Sequence, residues 1–323
     1  MARTRIYTDG RLARDNAPLS EARQRLGDPT ALVWIDLGPS DLTDLDPLVE
    51  QLGLHPVSVH EALDAHPRAG FLHHDDHDFV SLRALRFDDA SGHAVASPVA
   101  IFLTANAMLT LRTDDNFPLD SVLGIWDLHE DLCECGVGFL LHGVLKEVLQ
   151  SQYDTAIALD EALDRLEEAM FSDRPDIVYL QRRSHRLGRS VVEVRRIALS
   201  TPDTLDELYE AVPRLITPQL EPYFTGVRRH ADRVSERSDS LRELVDSIQQ
   251  TRMALADNRM NIVTKRVSGW AALIAVPAVI TGFYGVNLPF PGYGKEWGLI
   301  TCSALIVIVF AALYVLFKRK DWL

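Results

Sequence analysis

The sequence predicts an α+β fold, a mixed sheet with helices, that runs on into a long stalk helix and two C-terminal transmembrane helices. Three observations predict it. Residues 267–294 contain no ionisable acid or base apart from Tyr284 and Tyr293. Residues 297–317 carry no charged side chain and are stopped by Lys318, Arg319 and Lys320. As a helix, either run is long enough to cross a hydrocarbon core of about 30 Å. Ahead of them no proline occurs between Pro222 and Pro277, and Val227, Val234, Leu241, Ile248, Leu255 and Ile262 recur every seven residues.

Residues 1–140 read as the mixed α/β part. Residues 31–37 form a short apolar run closed by Gly38 and Pro39, which predicts a strand. Residues 41–52 predict a helix closed by Gly53, and His55 and Pro56 open a further segment over 57–63. Residues 79–87 alternate in part and predict a strand, followed by a hairpin-type turn at Asp88, Asp89, Ala90, Ser91 and Gly92. Residues 99–103 and 107–112 predict two more strands, joined by Thr104, Ala105 and Asn106. Strand order is not legible at this stage.

Residues 141–222 read as helical. Leu140, Leu141, Val144, Leu145, Val148 and Leu149 have helical spacing, and the pattern continues to Met170. Arg174, Pro175 and Asp176 break it. A basic helix over 177–199 then holds Arg182, Arg183, Arg186, Arg189, Arg195 and Arg196, with Ser200, Thr201 and Pro202 ending it. An anionic partner would suit this helix. The reading favoured here is charge pairing with the acidic stretch 154–168, although single exposed pairs contribute little.

Residues 223–287 predict one stalk helix that becomes the first span, about 95–100 Å long at 1.5 Å per residue. Its seven-residue stripe argues packing against like helices or a sheath. The second row fails at Thr251 and Asn258, so the pattern is not that of a simple dimeric coiled coil. A loop over 288–296, a second span over 297–317 and a basic tail over 318–323 complete the chain.

Net charge is −13, unevenly placed. Residues after Thr264 hold six basic side chains against Glu296 and Asp321, so the first 264 residues carry −17. An acidic body repels nucleic acid and concentrates cations, besides keeping the domain soluble. No apolar stretch follows Met1, so no signal peptide is expected. Lys265 and Arg266 precede the first span and Lys318, Arg319 and Lys320 follow the second, which predicts cytoplasmic termini and an outer loop in a plasma (inner) membrane. The three cysteines imply no disulfide framework, and Cys133 and Cys135 lack the further ligands of a zinc site. No Gly-Lys-Ser/Thr phosphate loop is present, so ATP is not the expected drive, and no motif marks an enzyme.

Two sets of residues are candidates for function. His55, His60, His66, His73, His74 and His77 cluster in sequence with Asp75, Asp76 and Asp78 interleaved. Imidazole and carboxylate ligate zinc at such spacings, and His73, His74 and His77 are the candidate ligands; a solvated loop is the alternative. The other set is on the first span, where Asn261, Thr264, Ser268, Ala271, Ala275, Ala278 and Gly282 recur at steps of three or four and share one small or polar face. Such a face serves close helix packing or lines a conduit.

Tyr284, Gly285, Val286 and Asn287, at the end of the first of two C-terminal spans, resemble the GxN signature of the CorA family of divalent-cation transporters, with Val286 as in a ZntB-like branch. The basic cluster ending in Trp322 and Leu323 is similar to the family's tail, and His55, Pro56, Glu61, Asp75, Asp76 and 79–83 are similar to its cytoplasmic domain. The resemblance implies a homopentameric funnel in the lipid bilayer. It implies a conduit lined by the small face, with Gly285, Val286 and Asn287 selecting the ion and Asp257 at the cytoplasmic mouth. The transported divalent cation, magnesium first, is then the only ion needed, with no cofactor. Two positions depart from the family: Gly226 and Gln250 stand where it typically has acidic residues that sense magnesium, and the loop after Asn287 lacks the family's acidic pattern. A zinc, cobalt or nickel cargo, with proton coupling as in the ZntB-like branch, therefore stays open. A membrane-anchored sensor domain is the reading from another class; it would have no use for Gly285 and Asn287 at a span exit.

Overall fold

A sheet of seven strands, its central strands buried on both faces, is formed by β1 (Arg3–Thr8), β2 (Arg11–Asp15), β3 (Ala31–Leu37), β4 (Gly70–His73), β5 (Asp78–Asp88), β6 (His93–Leu103) and β7 (Ala107–Arg112). The computed structural model describes residues 2–64, 69–172, 176–285, 292, 295–320 and 322. The order is β2-β1-β3-β7-β6-β5-β4. β3 and β7 pair in parallel and every other neighbouring pair is antiparallel. The sheet is therefore mixed, as its sequence predicts. The three strands expected over 79–87, 99–103 and 107–112 are present, with β6 reaching back to His93. β1, β2 and β4 carry too few apolar residues to announce themselves; β1 is held by main-chain pairing on both sides.

Successive strand residues point to opposite faces, and both faces are covered. Leu32, Trp34, Leu82, Val99, Ile101 and Met108 join one core with the long helix α5 (Val137–Met170). Val33, Ile35, Phe79, Phe102, Leu109 and Leu111 join the other. That second core lies with the short helices α1 (Leu19–Arg25), α2 (Leu45–Leu52) and α3 (Pro56–Ala62). The first part of the expected 41–52 helix is a 3₁₀ turn, Pro39–Asp44, started by Pro39 at its first position. Gly53 closes α2 in the left-handed conformation, φ 62°. α4 (Asp120–Leu128) places Trp126 edge-on to Trp34 at 4.8 Å, with the Trp126 Nε1 donating to the Leu140 carbonyl at 3.2 Å.

Helix α6 (Ile177–Ala211) corrects two expectations. It does not end at Pro202 but runs through it. A proline there leaves the carbonyl four residues back without its amide donor. That carbonyl, Ala198 O, instead accepts from Ser235 Oγ at 2.8 Å, and Thr201 Oγ1 and Ser200 Oγ donate to Ile197 O. Nor do the α6 arginines pair with the acidic stretch of α5. Arg183 pairs with Asp89 of the β5–β6 turn, Arg196 with Glu193, and Arg195 with Asp239 further along the chain. The α5 carboxylate of Asp160 is taken by Arg237.

Helix α7 (Glu221–Tyr284) is one unbroken element of 64 residues, proline-free from Tyr223 to Val276 and continuing through Pro277. Two compact units divide within it, Met1–Asp246 and Ser247–Leu323. In the first unit Phe224, Val227 and Ala231 complete the α5-side core. The second unit holds the rest of α7 and α8 (Glu296–Arg319), both long and apolar enough to cross a membrane. Many of their apolar side chains are uncovered: Ile274 is 71% exposed and Leu299 74%, although Leu273 is buried.

Candidate functional site

The face read from the sequence lies on a continuous helix. Asp257, Asn261, Thr264, Ser268, Ala271, Ala275, Ala278 and Gly282 are all exposed, and they follow one another at alternating steps of four and three. That alternation averages 3.5 residues, which keeps a stripe in register with a neighbouring helix over several turns. Pro277 lies in this stretch without ending the helix. Thr281 Oγ1 donates to Pro277 O at 2.9 Å and to Ala278 O at 3.1 Å, occupying carbonyls beside the proline. The Gly285 amide donates to Thr281 O at 2.8 Å and carries the helical ladder to the first residue of the Gly285-Val286-Asn287 motif. Val286 and Asn287 lie outside the described residues. One helix can contribute a wall but cannot enclose a path, so a conduit on this face requires further copies.

The histidines gather in a way the sequence did not reveal, and not as a metal centre. Among the described residues no group of three or more His, Cys, Asp or Glu is placed to hold a metal ion. His73 leaves the expected set to pair with Asp78, Nδ1 to Oδ1 2.6 Å. His74 stacks between His55 (4.5 Å, 11°) and His77 (4.7 Å, 26°). In a face-to-face stack the ring lone pairs point outward in parallel planes, so His74 and His77 cannot converge on one ion. His66 lies outside the described residues. Sequence reasoning missed Ser58, whose hydroxyl meets His74 Nε2 at 2.8 Å, and Arg214, which reaches Asp78 at 2.8 Å across 136 residues. Asp78 is fully buried; a charge inside a strand pattern was the available signal.

The family model for CorA-like Mg2+ transporter protein matches residues 29–319. The chain belongs to the CorA family. This CorA-family chain is 25% identical over 299 residues to the cobalt/magnesium transport protein CorA of Thermotoga maritima, covering 92% of this chain and 85% of that one. The complete CorA magnesium transporter structure from Methanocaldococcus jannaschii has a similar fold, with TM-score 0.77 at 20% identity over 100% of this chain and 99% of that one. The ZntB cytoplasmic domain from Vibrio parahaemolyticus is similar over 70% of this chain and 88% of that one, with TM-score 0.54 at 15% identity. The CorA architecture of a mixed-sheet domain, a long helix and two C-terminal apolar helices is thus the architecture described above.

Proposed function

We propose that this protein carries divalent metal cations, magnesium first, across the plasma membrane through a conduit formed by several copies of α7, with both termini cytoplasmic. The observation that carries the reading is the exposed stripe from Asp257 to Gly282, which is small or polar throughout and ends at Gly285, two residues before Asn287. Magnesium dehydrates reluctantly, so a path that takes it must accept hydrogen bonds from its water shell. Neutral amide oxygens at Asn261 and Asn287 and hydroxyls at Thr264 and Ser268 supply acceptors weak enough to let the ion go again. Asp257 supplies one negative charge per copy at the inner end, where it raises local cation concentration. Five copies are what the family resemblance implies. Gly285, Val286 and Asn287 are the proposed selectivity segment.

Zinc, with or without proton coupling, is the second reading for the cargo. It is favoured by Val286 and by the two family magnesium-sensing positions. A Cβ on Gly226 would meet open space, and Gln250 is exposed and uncharged. Neither offers a carboxylate for a regulatory ion.

Flux into proteoliposomes containing a metal-sensitive dye tests both. Magnesium, zinc, cobalt and nickel are each supplied with and without a proton gradient. The expected result is saturable magnesium entry that falls at least tenfold in Asn287→Ala. Entry of zinc alone, dependent on the gradient, would select the second reading. No flux of any ion from folded oligomer would replace transport by a membrane-anchored sensor.

A further inference from the structure

Two of the three stacked imidazoles are bonded in a way that only their neutral forms allow. His55 caps α3: its Nδ1 accepts the Val57 amide at 3.2 Å. His77 Nε2 accepts the His55 amide at 3.5 Å. Each bond uses a ring lone pair, and a proton added there turns an acceptor into a donor facing another donor. His77 is 1% exposed, packs against Phe102 of β6, and its Nδ1 has no hydrogen-bond partner among the described residues. Protonation would thus place a charge in a site with no partner at Nδ1.

We propose that the His55–His74–His77 stack is a proton-sensitive latch, which holds α3 and the β4–β5 turn against the sheet when neutral and releases them on acidification. The charges acting on it come from each neighbouring segment. His73 of β4, Asp75 and Asp76 of the turn and Asp78 of β5 surround it, and Arg214, just ahead of α7, binds Asp78 from the far side. The carboxylates favour protonation. Burial, followed by the neighbouring imidazoles, outweighs them and holds His74 and His77 below the ordinary histidine range. Depressed histidines stabilise the closed form fully above the ordinary value of about 6.5, and that stability is lost as pH falls through it. The latch concerns the soluble unit and stands independently of which ion the protein carries.

The test is hydrogen exchange by mass spectrometry on the full-length protein in detergent between pH 7.5 and 5.5, corrected for the intrinsic pH dependence of exchange. Protection over 55–63 should fall about tenfold to a hundredfold per pH unit below 6.5, the limits for one and two coupled protons, while protection in β3 stays level. In His74→Phe/His77→Phe the fall should disappear, because the stack keeps its rings and loses both depressed imidazoles. Should that variant fail to fold, His77→Phe decides. It removes the buried one of the two, and it should at least halve the fall. Level protection in the wild type, or an undiminished fall in the variant that folds, would overturn the proposal.

Discussion

At the residue scale one buried ion pair in the first unit joins two strands that meet only through folding. Asp36 on β3 is 1% exposed, and Arg112 at the end of β7 binds it with two nitrogens, at 2.7 and 3.2 Å. Thr110 Oγ1 donates to the same carboxylate at 2.8 Å and accepts from Trp34 Nε1 at 3.1 Å. Arg112 also donates to the Phe117 carbonyl at 3.0 Å. Removing one partner of such a pair strands the other charge in the interior. Arg112→Ala is expected to destabilise the domain by about 3–5 kcal/mol, read as a lowered thermal midpoint of the purified protein. The Asp36 carboxylate looked like part of an apolar run in the sequence, and nothing local named its partner 76 positions away.

At the element scale, close approach rather than propensity sets the junction between the α5 and α6 helices and the start of α7. Gly138 lies in the first turn of α5, where a Cβ would overlap the carbonyl oxygen of Leu215 in the 3₁₀ turn Pro213–Leu215. Gly138→Ala must therefore push that turn away and loosen the packing of Leu215 and Leu220 in the same core. The expected cost is about 1–3 kcal/mol, checked by thermal unfolding at fixed detergent and pH. α6 makes a related point. Its proline read as a terminator because a local rule says so, yet Ser235 from α7 supplies the donor that the rule says is missing.

At the scale of the whole molecule, the seven-residue stripe of α7 changes surroundings along its length. Val227, Val234, Leu241 and Ile248 are buried, Leu255 is half-buried, and Ile262 is 41% exposed. The pattern continues past its buried members, and its exposed end is where contact with other copies is expected. Leu255→Asp/Ile262→Asp is expected to shift the purified protein from oligomer to monomer. Light scattering in detergent checks this, and an unchanged mass would remove the stripe from the assembly contact. The face proposed for the conduit was legible for a similar reason. Its residues lie on one helix, where steps of three and four fix a common side whatever the neighbours do.

What the sequence determined by itself is whatever repeats locally: two apolar runs, a proline-free helix between domain and membrane, the face from Asp257 to Gly282, and an acidic body ahead of basic residues that flank the spans. What the tertiary structure decided is whatever depends on contact between distant segments. It set the strand order, the bidentate grip of Arg112 on Asp36, and the rescue of the α6 helix at Pro202. It also gathered His55, His74 and His77 into a stack rather than a metal site. The physical reason is that a helical or strand period is fixed by backbone geometry over a few residues. Which two polar groups share a buried site depends on how the layers close around them, because a buried polar group has to find a partner there.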